Sequence, residues 1–185
     1  MFQRLLQRFR SVNPADPVYA RIVAQARQPV FYADLGVPDT VAGRFEMIVL
    51  HLAVVLRRLR SGEEERSAMP QGLIDAFFRD MEYSFREMGV SDVAIPKRMK
   101  ETIRAFYGRA AAYEAALEAG DGEALCQAIG RNVLGEGGQM GNATRLAHYI
   151  AESDAAMAKQ PRDELVRGAF GWAVATTETG MTAEV

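Results

Sequence analysis

Two histidines, one cysteine, an acidic run and a glycine-rich segment are the groups in this 185-residue sequence whose types could carry out chemistry. His51 lies inside residues 47–56 (MIVLHLAVVL), with apolar neighbours on every side of a helix. That setting predicts a core histidine bonded to a backbone carbonyl or a neighbouring helix, not a ligand. His148 has no HExxH partner, and two histidines with one cysteine offer no metal-ligand spacing. Cys126 has no helper near it in sequence and reads as a small buried side chain rather than a nucleophile. The glutamates of residues 62–66 (GEEER) belong to a solvated loop, because nothing fixes their spacing or shifts their acidity. Residues 135–141 (GEGGQMG) lack the preceding strand and the following Lys-Ser/Thr of a phosphate loop, and read as a joint. A Ser-His-Asp triad assembles in space and leaves no spacing to read. The expectation is a protein that is not an enzyme and carries neither metal nor cofactor.

The residues that would meet a partner are more informative. Residues 96–119 predict a helix whose apolar stripe is Met99, Ile103, Phe106, Ala110, Tyr113 and Leu117. With that stripe near 0° and roughly 100° per residue, Lys97, Lys100 and Arg104 fall at roughly 100–160°, on the outward side. Arg98 and Arg109 share one flank, Tyr107 sits at the other boundary, and Gly108 points straight out. Glycine in a helix costs about 1 kcal/mol relative to alanine, a poor choice for a face that meets only water. Bare backbone beside a basic ridge and a tyrosine suits close approach by another chain or a lipid headgroup. Lys97, Arg98, Lys100, Arg104, Tyr107, Gly108 and Arg109 are therefore the candidate client- or lipid-binding surface. A second candidate is the N-terminus, MFQRLLQRFR. Phe2, Leu5, Leu6 and Phe9 share one helical face, with Arg4, Arg8 and Arg10 away from it. Such a basic amphipathic helix over residues 1–12 either docks on its own domain or meets a membrane or partner surface.

The elements that must position these groups are helical throughout. The near balance of 22 basic and 24 acidic residues gives a net charge of −2, which argues against a dedicated nucleic-acid binder. A single cysteine excludes an internal disulfide framework. The longest apolar run, residues 47–56, is about half the length a bilayer needs, and no secretory signal is visible. The expected location is cytoplasmic, with peripheral contact at the inner face of the cytoplasmic membrane as an option. Asp16-Pro17 opens a helix that stops before Pro29; residues 30–37 read as a compact loop. Asp39 or Thr40 caps a long helix to Arg60, apolar nearly all round and so central to a bundle. Pro70 opens the next, ended by Gly89; Asp121, then Asn142 or Thr144, then Pro161 open the last three, the final one ending near Trp172. The fold class is all-α, a compact irregular bundle of about seven or eight helices. It forms a single domain over residues 1–172 with a frayed tail over 173–185.

Residues 85–100 (FREMGVSDVAIPKRMK) and 106–113 (FYGRAAAY) resemble the ubiquinol–cytochrome c chaperone family. The stretch from Phe31 to Arg60, Arg131-Asn132 and residues 146–150 fit the same family, so the resemblance covers about residues 18 to 160. It implies an all-helical assembly factor similar to the mitochondrial proteins that help build respiratory complex III and bind newly made cytochrome b. The expected partners are a membrane-protein client, cytochrome b, and an anionic membrane surface, with no direct nucleic-acid binding. Among the matching positions, Arg86, Glu87 and Asp92 would form a polar network fixing the angle between two helices, and Gly89 a helix stop. The competing reading is a carrier that holds a lipid or quinone in a cavity between helices; an enzyme without a recognisable signature is a third.

Overall fold

The computed structural model of the chain describes residues 13–60 and 68–175. Among them are eight α-helices: α1 (Asp16–Ala26), α2 (Pro29–Ala33), α3 (Val41–Arg60), α4 (Met69–Glu87), α5 (Ile95–Ala119), α6 (Gly122–Ile129), α7 (Met140–Ala158) and α8 (Arg162–Val166). A π-helical turn, Gly130–Leu134, extends α6. The fold is an all-α bundle, and no strand occurs among the described residues. The expected helix over residues 1–12 and the tail beyond residue 175 lie outside the described residues.

α3 is the axis of the bundle. Every residue from Glu46 to Leu56 is buried, because α1, α4, α5, α7 and α8 pack around it. The Thr40 hydroxyl caps its start by accepting from Gly43 N at 3.1 Å. A Cβ at Gly43 would fall 2.0 Å from the Pro38 carbonyl oxygen, so only glycine lets the incoming loop close onto the helix.

His51 sits fully buried in this axis. Its Nδ1 lies 2.7 Å from Met47 O and its Nε2 2.9 Å from the Tyr149 hydroxyl on α7, while Trp172 and Phe31 meet the ring edge-on. Burial pushes its pKa down to about 4, so the ring is neutral near pH 7: Nδ1–H donates to the carbonyl and Nε2 accepts from the hydroxyl. The expected core histidine is what the structure shows. At the other end of α3, buried Asp154 of α7 accepts from Arg57 at 2.8 and 3.0 Å and from Arg58. Two guanidiniums on one carboxylate fix how α3 and α7 cross.

Several boundaries differ from the sequence expectation. Residues 30–37 contain the short helix α2, since Pro29 starts a turn that the Tyr32 hydroxyl ties back to Ala26 O at 2.7 Å. α1 is capped from Ala15, one residue before Asp16, with the Asn13 side chain accepting from Ala15 N and donating to Gly72 O on α4. α7 starts at Met140 rather than at Asn142 or Thr144. α8 ends at Val166, because Gly168 turns into the left-handed region (φ +71°). The chain beyond it lays Phe170 and Trp172 on the core, and Ala173 N donates to Ser153 Oγ at 3.2 Å.

Candidate functional site

α5 runs unbroken for 25 residues from Ile95 to Ala119 and closes on Gly120 in the left-handed region (φ +64°). Its inward residues are Ile95, Thr102, Phe106, Tyr113 and Ala116. At 100° per residue these centre about 50° away from the expected stripe. Ile103 consequently emerges to 39% exposure, and Arg109 turns inward.

That turn reassigns Arg109. Its Nε donates to Glu46 Oε2 on α3 at 2.6 Å, and its guanidinium lies 5.8 Å from the Phe45 ring. Glu46 is buried, and desolvation raises its pKa even though the Arg109 hydrogen bond and charge pull it down. A pair with that balance contributes little net stability and mainly fixes the facing of the two helices. Arg109 is thus a bundle residue and not part of the exposed ridge.

The rest of the ridge faces outward. Lys97, Arg98, Lys100 and Arg104 are exposed, and none of them forms an ion pair among the described residues. Tyr107 is 48% exposed, with its ring leaning on Phe106 and Phe78. Nothing lies within 4 Å of where a Cβ on Gly108 would be. Among the described residues, the helix therefore holds four cations without an ion-pair partner and a half-supported tyrosine toward solvent, in a chain of net charge −2. Bound counter-charge on such a surface releases ions and gains Coulomb energy without breaking an internal pair.

Ahead of α5, Arg86 donates to Glu82 at 2.8 Å and to Asp92, which spans the turn between α4 and α5. Glu87 stands apart from this group and raises the pKa of Tyr83 through a hydrogen bond and its charge. The Arg86 pairs are exposed, so solvent screening leaves them little weight in stability. Phe2, Arg4, Leu5, Leu6, Arg8 and Phe9 lie outside the described residues.

Two residues that sequence reasoning did not place at the site stand next to it. Arg131 and Asn132, in the π-helical turn, join Arg104, Gly108 and Arg109 around a shallow notch of about 280 Å³. Elsewhere, an open crevice of about 570 Å³ runs between α3 and the C-terminal half of α4, over Phe45, Ile48 and Phe85. Val41, Ala42, Met81 and Met88 complete its mainly apolar lining, and Arg27, Arg44, Asp80 and Glu87 rim it, so the lipid or quinone carrier keeps a place to bind. Among the described residues no cluster of metal-ligating side chains occurs, and no helix is long and apolar enough to cross a membrane.

No curated protein matches the chain. The crystal structure of the Cbp3 homolog from Brucella abortus is similar over 95% of this chain and 98% of its own, with 37% sequence identity and a TM-score of 0.80. The family model for the ubiquinol-cytochrome c chaperone matches residues 33–173, which takes in α3 through α8 and the whole of the ridge. The chain belongs to the ubiquinol-cytochrome c chaperone family.

Proposed function

We propose that this protein is an assembly factor for the cytochrome bc1 complex, respiratory complex III, and attends cytochrome b during its biogenesis. It works from the cytoplasm, peripherally on the inner face of the membrane, and performs no chemistry of its own. Family membership supports the assembly role. The observation that carries the choice of working face is the row of outward cations on α5, without an ion pair among the described residues: Lys97, Arg98, Lys100 and Arg104, beside Tyr107. A soluble helical body that holds such a row needs no conformational change to meet the loops of a membrane subunit and the anionic lipid around it.

The experiment is deletion of the gene followed by haem b spectra of isolated membranes, with complementation by wild type and by the triple variant Lys97→Glu, Lys100→Glu, Arg104→Glu. Loss of the cytochrome b signal on deletion, restored by wild type and not by the triple variant, is the expected result. Unchanged cytochrome b and complex III activity on deletion rejects the function. Full rescue by the triple variant, with the function otherwise intact, rejects the face.

A further inference from the structure

Packing gives no reason for residue 108 to be a glycine. Its backbone is ordinary mid-helix, an added Cβ would touch nothing within 4 Å, and glycine weakens a helix there relative to alanine. The space kept free opens onto the notch between α5 and the π-helical turn, lined by Arg104 from one side and by Arg131 and Asn132 from the other. Both arginines are exposed, and neither pairs with a carboxylate among the described residues. Arg109, which also lines the notch, is committed to Glu46. Glu101, one turn before Arg104, forms no ion pair among the described residues either.

The turn brings the second arginine there. Gly135 N donates to Gly130 O at 3.0 Å, five residues back, which widens the end of α6 and carries Arg131 and Asn132 beside α5. Inserted π-turns of this kind recur at functional sites. Two guanidinium forks from different helices above a side-chain-free floor at Gly108 make a site for an oxyanion such as a phosphate. The phosphates of anionic lipid at the membrane surface attract such a cationic cluster and are concentrated where the client is made.

We propose that the Gly108 notch binds the phosphate of an anionic phospholipid headgroup and so seats the chaperone against the membrane beside its client. This rests on α5 presenting the working face, as above, and adds the chemistry of one subsite on it. The notch ligand is phosphate, and the two sources, lipid and free phosphate, are separated by probe. The full chain is titrated at constant ionic strength with short-chain dihexanoylphosphatidylglycerol below its micelle concentration, with inorganic phosphate and with a glutamate-rich peptide. Binding is read from the NMR signals of the Arg104 and Arg131 Nε–H groups and the Asn132 side-chain amide.

The expected result is that both phosphates shift these signals, the lipid at lower concentration, and that the peptide does not. Loss of one charge-assisted contact in Arg131→Gln weakens lipid binding about tenfold. Gly108→Leu does the same by filling the space. Cooperative melting at or above the wild-type Tm in both notch variants shows that the fold is kept. Equal affinity for inorganic phosphate and lipid overturns the membrane assignment, and displacement by the peptide overturns the phosphate assignment. Unaltered binding in Arg131→Gln overturns the notch altogether, yet leaves the ridge reading standing if the Lys97, Lys100, Arg104 triple variant still fails to rescue.

Discussion

Replacing Gly108 separates stability from function in a way few other positions allow. The backbone there is helical and the space beyond it empty, so alanine introduces no clash. The change removes the helix penalty of glycine, about 1 kcal/mol. For a chain of this size that raises Tm by about 2–4 °C. Leucine, also a good helix former, stabilises similarly, but its side chain projects over the notch flanked by Arg104 and Arg131. The prediction is therefore a pair of opposite signs: Tm rises in both variants, while binding to vesicles of anionic phospholipid falls slightly with alanine and strongly with leucine. Scanning calorimetry gives the first quantity and vesicle co-sedimentation the second. A lowered Tm would mean that Gly108 serves packing after all. A raised Tm with wild-type binding in Gly108→Leu would mean that the open space has no occupant.

Two further outcomes follow from the buried polar groups. His51 has a pKa near 4 in the folded chain against 6.5 as its ordinary value. Between those values the unfolded chain takes up a proton that the folded chain refuses, so stability falls as pH drops from 6.5 toward 4, by about 3 kcal/mol in all. Urea unfolding across that range, with the His51 ring signal followed by NMR, checks both parts; an ordinary titration midpoint would contradict the burial argument. Arg109→Ala strips the partner from buried Glu46 and should cost about 3 kcal/mol. The cost should grow with rising pH, since the raised pKa of Glu46 lets it escape as the neutral acid when the solution is acidic. Glu46→Gln, which keeps an acceptor without the charge, should cost far less; equal losses in the two variants, by denaturant titration, would mean that the ion pair itself is the stabilising unit.

How far the sequence disclosed these features depended on whether apolar periodicity alone decided them. α3 is buried on all sides, and its unbroken apolar run says so directly. α5 is buried through a mixed face, and there the same reasoning turned the helix by about 50°. Thr102 and Arg109 point inward because each has a polar partner: the Thr102 hydroxyl donates to Arg98 O, and Arg109 reaches Glu46 on another helix. Periodicity weighs only apolar residues and cannot see a partner 63 positions away. The outward cations survived that error, since a rotation of this size leaves Lys97, Lys100 and Arg104 on the solvent side.

Arg131 and Asn132 escaped notice as site residues for a different reason. A π-turn is a change of hydrogen-bond register with no residue signature of its own, so GRNVL reads as the plain continuation of α6. The end of the chain misled in the same manner. Phe170 and Trp172 look like the last turn of a helix, but Gly168 breaks it and they pack in irregular backbone, with Trp172 against the His51 ring.

The central claim is that the outward face of α5 meets cytochrome b at the membrane during assembly. Photo-crosslinking from the living cell tests it most directly, with a benzoylphenylalanine at Tyr107 and, as a control, at exposed His148 on α7. A cross-link to cytochrome b from position 107 and none from position 148 is the predicted result. Equal capture from both positions, or capture from 148 alone, would contradict it.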